Sequence, residues 1–163
     1  MFDDHLLMLA RLTLDEAQQR RLKIATAESC TGGLIAGLLT EIPGSSNTLE
    51  RGFIVYSNKA KEEMLGVPGD LIADAGAVSE PVARAMAEGA LEESRANLAV
   101  AVTGIAGPGG GTALKPVGLV HLAVARENKP IFHQALRFGD IGRDKVRRET
   151  VIAALDMVRK MMG

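Results

Sequence analysis

Apolar and polar positions along this chain change period from block to block, and each change marks an element. Residues 3 to 21 place Leu6, Leu7, Ala10, Leu14 and Ala17 at helical spacing with charges between them. Thr13 followed by Glu16 is a capping-box pattern, which predicts two short helices here as readily as one. Lys23 to Ala27 reads as a short strand that runs into Glu28-Ser29-Cys30-Thr31-Gly32-Gly33, and Leu34 to Leu39 follows as an apolar helical run. Pro43 to Asn47 is turn chemistry. Gly52 to Tyr56 reads as a second strand. Ser57-Asn58 then starts a helix through Leu65, and Val67-Pro68-Gly69 breaks the chain. Ser79 has the character of an N-cap with Pro81 in the first turn, and Val82, Met86 and Ala90 share one face of the helix it opens.

Leu98 to Val102 is a continuous apolar run, the pattern of a central strand covered on both faces. Val117 to Ala125 and Ile131 to Phe138 are strand-like runs joined by five residues, which predicts a hairpin and one antiparallel pairing. From about residue 142 a closing helix carries Val151, Leu155, Val158 and Met162 on one face. The sum is an α/β domain with a mixed, mainly parallel sheet between helices. No repeat or linker divides residues 1–163, so a single domain is expected.

Composition narrows the functional classes. The net charge of −1 offers no field for nucleic acid, and one Tyr, four Phe and no Trp leave no base-stacking platform. The lone Cys30 excludes an internal disulfide and suits a reducing, cytoplasmic setting. Asp3 and Asp4 replace a basic leader, and no apolar run approaches a membrane span, so no membrane partner is expected. Seven methionines and few aromatics leave room for a homo-oligomer interface.

Three strand ends carry small polar groups and glycine, and ligands of open α/β sheets bind beyond such ends. At the first, Ser29 or Cys30 is a candidate nucleophile at a strand-to-helix turn whose backbone N–H groups suit a developing oxyanion. The same residues serve equally well as a plain helix cap with tightly packed glycines. At the second, Tyr56-Ser57-Asn58-Lys59-Ala60-Lys61 offers a lysine base for a serine, given burial that lowers its pKa. Lys61 lies one turn past Ser57 and points back toward the strand end, whereas Lys59 points elsewhere; solvated lysines are the plain alternative. The third, Thr103 to Thr112, has five glycines, with Thr103 well placed for substrate, and fits neither a Walker A motif nor a dinucleotide fingerprint. Arg143, Arg147 and Arg148 open the last helix, where cations oppose the macrodipole; they suit a phosphate grip or a solvated face. His5, His121 and His133 are scattered, and nothing has metal-ligand spacing.

The segments at 27–33, 56–61 and 103–111, with Lys115-Pro116-Val117-Gly118, together resemble the CinA C-terminal-domain family of nicotinamide-nucleotide amidohydrolases. The resemblance runs from about residue 6 to 160. It implies a three-layer α/β/α sandwich, and it implies hydrolysis of the carboxamide of nicotinamide mononucleotide without metal or cofactor. The chain lacks the additional N-terminal domain of many relatives and looks like the stand-alone form. By the resemblance Ser29 is the nucleophile, and Lys61 and Tyr56 activate it. The small-molecule nucleotide would be met by Glu28, Cys30, Thr31, Gly32, Asn58, Thr103, Gly104, Gly107, Gly109, Gly110, Arg143 and Arg147. A non-catalytic nucleotide-binding module and an amidase for another small amide are the competing expectations.

Overall fold

A computed structural model describes residues 1–163. Its five strands are β1 (Ile24–Glu28), β2 (Leu49–Ile54), β3 (Leu98–Gly104), β4 (Leu119–Arg126) and β5 (Phe132–Arg137). They form one sheet in the order β2-β1-β3-β4-β5. β1 pairs in parallel with β2 and β3, and β4 pairs antiparallel with β5, as the hairpin reading required. A second antiparallel pairing joins β3 to β4, where the sequence predicts only one. It arises because the glycine loop returns the chain directly beside β3, with no crossover helix between them.

The helices are α1 (Asp4–Gln19), α2 (Leu34–Thr40), α3 (Asn58–Leu65), α4 (Gly69–Ala75), α5 (Glu80–Glu92) and α6 (Arg143–Met162). None is long and apolar enough to cross a membrane. α1 is a single helix: Thr13 Oγ1 donates to Leu9 O, so the hydroxyl is spent along the helix and starts no second cap. α4 lies where the sequence suggested only a break, because Pro68 serves as its N-cap residue and Gly69 as its first turn. Pro43 to Asn47 includes a short 3-10 turn at Ser45–Asn47. Ser57 and Ser79 cap α3 and α5 as expected, accepting from Ala60 N and Val82 N.

The two faces of the sheet differ in side-chain size. Ile24, Leu98, Val100, Val102, Val120, Leu122 and Val124 pack against α1, α2 and α6. Ala25, Ala27, Ala99, Ala101, Ala123 and Ala125 pave the opposite face, under α3, α4 and α5. An alanine face lets α5 settle close to the strands, and its own inner residues are correspondingly small: Ala83, Ala87, Gly89 and Ala90. α5 also approaches α3. A Cβ built at Gly89 would lie 2.0 Å from Leu65 O. Gly89→Ala is therefore expected to destabilise the fold by about 3 kcal/mol despite alanine's better helix propensity. Thermal unfolding should show Tm lowered by roughly 6–12 °C.

The histidines of β4 and β5 are not scattered. His121 Nδ1 and His133 Nε2 lie 3.0 Å apart with rings stacked, and Glu80 Oε2 is 3.6 Å from His133 Nδ1. Burial lowers the pKa of both. His133 and Lys115 lower that of His121 further, while Glu80 partly restores His133 against Arg84. The folded pair thus binds fewer protons than the unfolded chain. Stability should be full above about pH 6.5 and fall as the pH drops below it. Urea midpoints at pH 7.5 and 5.0 should differ less in His121→Gln than in the parent chain.

Candidate active site

β1, β2 and β3 end side by side, and their C-terminal ends meet around a cavity of about 270 Å³ lined by Ser29, Cys30, Tyr56, Asn58, Lys61, Ala77, Val78, Thr103, Gly104, Ala106 and Arg143. The three polar segments singled out in the sequence therefore do converge. A wider, open groove of about 660 Å³ lies along the other side of the glycine loop, lined among others by Gly109, Gly110, Arg137 and Asp140. It contains no nucleophile paired with a base, so the candidate site is the smaller cavity.

The centre of that cavity is a serine–lysine contact. Ser29 leaves β1 with its N–H bonded to Val102 O, and its Oγ lies 2.9 Å from Lys61 Nζ. Lys61 projects inward from α3 and is 1% exposed. Its amine also meets Val55 O at 3.0 Å and Tyr56 O at 3.1 Å. No carboxylate lies within ion-pair distance of it. Burial without a counter-ion pushes its pKa below the ordinary lysine value, and the nearby Cys30 opposes this only in part. Three oxygens around one nitrogen suit both protonation states. The ammonium donates to all three, and the neutral amine donates to the two carbonyls and turns its lone pair to the Ser29 hydroxyl.

β2 prepares this arrangement. The sequence suggested a strand from Gly52 to Tyr56, but the ladder ends at Ile54. Val55 N still donates to Glu28 O, and beyond it the Val55 and Tyr56 carbonyls turn toward the amine. Tyr56 therefore contributes main chain. Its ring is 64% exposed, and its hydroxyl accepts from Arg143 Nη2 at 3.3 Å, with no hydrogen bond to Ser29 or Lys61. A proton relay through the phenol does not fit this placement.

Cys30, the rival nucleophile, lines the cavity, but burial raises its thiol pKa to about 11. Thr103 lines it too, with Oγ1 donating to Ala77 O at 3.0 Å and so fixing the wall made by Ala77 and Val78. The sequence does not mark that wall, since Ala77 and Val78 are themselves small and apolar.

Several expected substrate contacts are placed elsewhere. Glu28 is fully buried, and its carboxylate accepts from Thr31 Oγ1 at 2.6 Å, Ile35 N at 2.9 Å and Ala36 N at 3.0 Å. It cannot reach the cavity. Thr31 is likewise turned away, toward Glu28, and Gly32 supplies a left-handed turn at φ +58°. Arg147 Nη2 donates to Thr31 O at 3.3 Å from outside the cavity, and Arg148 pairs with Asp3 at 2.7 Å. Arg143 does line the cavity, and its Nη1 donates to Gly107 O at 2.8 Å, so Gly107 serves as an anchor. Gly109 and Gly110 border the neighbouring groove.

The N–H groups available to an oxyanion also differ from expectation. Those at the start of α2 are taken, Leu34 by Thr31 O and Ile35 and Ala36 by Glu28. Immediately after Ser29, the Thr31 N–H makes no hydrogen bond and the Cys30 N–H meets only its own thiol.

Comparison with known proteins identifies the family of the chain. The family model described as the CinA C-terminal domain matches residues 7–162. A CinA-like protein of Anaeromyxobacter sp. (strain K) is 50% identical over 151 residues, covering 93% of this chain and 36% of that protein. One from Mycobacterium sp. (strain JLS) is 52% identical over 140 residues, covering 85% and 33%. The chain thus spans about a third of the length of these curated relatives. The crystal structure of the competence/damage inducible protein CihA from Agrobacterium tumefaciens superposes with TM-score 0.98 at 53% identity, covering 100% of this chain and 99% of that one. The CinA superfamily protein ECK1530/EC0983 from Escherichia coli gives 0.87 at 30% identity, covering 99% and 94%. With nearly its whole length matched in sequence and in structure, this chain belongs to the CinA C-terminal-domain family.

Proposed function

We propose that the protein hydrolyses the carboxamide of nicotinamide mononucleotide to nicotinate mononucleotide and ammonia. One observation carries the reading: a lysine amine with no counter-ion, buried 2.9 Å from the hydroxyl of Ser29. Neutral Lys61 takes the Ser29 proton as Oγ bonds to the amide carbon. The carbonyl oxygen, now negative, lies toward the N–H of Cys30, which lines the cavity beside Ser29, an interaction worth roughly 3–4 kcal/mol per donor in other enzymes. The Lys61 ammonium returns the proton to the amide nitrogen, the C–N bond breaks and ammonia leaves. Water, deprotonated by Lys61, then attacks the acyl carbon, and Ser29 departs as a hydroxyl.

The choice of a nucleotide rests on the family resemblance and on Arg143, a cation at the cavity that makes no ion pair. Purified protein given nicotinamide mononucleotide should release stoichiometric ammonia, and nicotinamide riboside, which lacks the phosphate, should be a poor substrate. Arg143→Ala should lower kcat/KM on the mononucleotide by roughly 10- to 100-fold, the worth of a charge-assisted contact, with little effect on the riboside. Saturable binding without ammonia would replace the enzyme by a nucleotide-binding module.

A further inference from the structure

Glu28 stands out as a fully buried carboxylate, at the end of a central strand, with no cation beside it. Burying a charge without a counter-ion is costly, and natural folds accept it where hydrogen bonds to that charge accomplish something. A single Ser or Asp before α2 would have capped that helix more simply. Instead the residue before it, Gly33, offers no side chain, and Glu28 reaches past the turn to Ile35 N and Ala36 N. The same carboxylate accepts from Thr31 Oγ1, so it ties the middle of the turn to the helix that follows. The Thr31 carbonyl is held from the other side by Arg147.

We infer that Glu28 is a positioning residue for the nucleophile turn. The inference rests on the serine–lysine reading given above and adds what holds that dyad in register. By accepting from Thr31 Oγ1 and from the N–H groups of Ile35 and Ala36, Glu28 fixes the turn that carries Ser29 against the start of α2. With both ends of the turn anchored, the Ser29 hydroxyl is held between Lys61 Nζ at 2.9 Å and Tyr56 O at 3.4 Å. Removing an acceptor at Glu28 orphans one of three donors and loosens the turn without touching Lys61 or the cavity wall.

The test uses the full chain and a fluorophosphonate ester. Ser29 Oγ bonds to phosphorus, fluoride leaves, and the serine proton passes to Lys61, so labelling needs the dyad and the turn but no amide substrate. Glu28→Gln and Thr31→Val should be labelled at Ser29 at least tenfold more slowly than the parent chain, and Thr31→Ser near the parent rate. The pH midpoint of labelling, which Lys61 sets, should not move, and circular dichroism should show each variant folded at the assay temperature. Parent-rate labelling of Glu28→Gln, or of Thr31→Val should the glutamine variant fail to fold, overturns the inference and leaves the dyad standing. A shifted midpoint in a folded variant also overturns it, because Glu28 would then be tuning the base. A parent chain that is not labelled at Ser29 overturns the dyad and the inference together.

Discussion

Replacing Lys61 by methionine should lower ammonia release from nicotinamide mononucleotide by on the order of 10³-fold, the contribution of a positioned general base. The fold should survive. Methionine matches the length of the lysine stem, and relief from burying an amine offsets the loss of donors to Val55 O and Tyr56 O. Tm should shift by no more than a few degrees, as read by circular dichroism. The parent chain should show kcat/KM rising with pH and levelling once the amine is neutral. Because burial lowers the Lys61 pKa, the midpoint of that rise should lie below the ordinary lysine value of about 10.4. A midpoint at or above that value would remove lysine as the base. In Lys61→Met this limb should vanish.

The contest between adjacent nucleophiles should resolve as sharply. Ser29→Ala is expected to reduce kcat on the order of 10⁴-fold or more, whereas Cys30→Ala should stay within about fivefold of the parent chain. A thiol with a pKa of about 11 is ionised in about one molecule in 10⁴ at pH 7, and the thiolate is the reactive form. The double variant Ser29→Ala with Lys61→Met should be no worse than Ser29→Ala alone, since a base without a nucleophile contributes nothing. Fragmentation mass spectrometry after rapid quenching should place any acyl group on Ser29 itself. Its attachment to Cys30 would reverse the assignment.

What could be read in the sequence follows from where small polar residues interrupt apolar runs. Glu28 to Gly33, Tyr56 to Lys61 and Thr103-Gly104 each stand at or just past the end of a strand, and their convergence required only that those strands be neighbours. Lys61 was legible because it stands four positions past Ser57, the helix cap. Other features depend on partners far away in the chain. The sequence marks Glu28 as polar and near a serine, the pattern of a ligand. Only the fold shows its oxygens already filled by Thr31, Ile35 and Ala36. Tyr56 drew attention for its phenol, and what reaches Lys61 is its carbonyl, which every residue type possesses. Ala77 and Val78 carry no chemical mark at all. The second antiparallel pairing was hidden because a glycine-rich loop reads the same whether it returns a strand beside its neighbour or leads elsewhere.

The contact between Gly89 and Leu65 reaches beyond stability. α3 is short, carries Lys61 at its middle and leans its last turn on the bare backbone of α5. Any side chain at position 89 would act as a wedge, lifting that turn and carrying the amine away from the serine. Tolerance at this remote glycine would thus be limited twice, once by folding and again by alignment of the catalytic pair, so a variant rescued in stability by compensating changes elsewhere would still turn over slowly until α3 had been brought back into place.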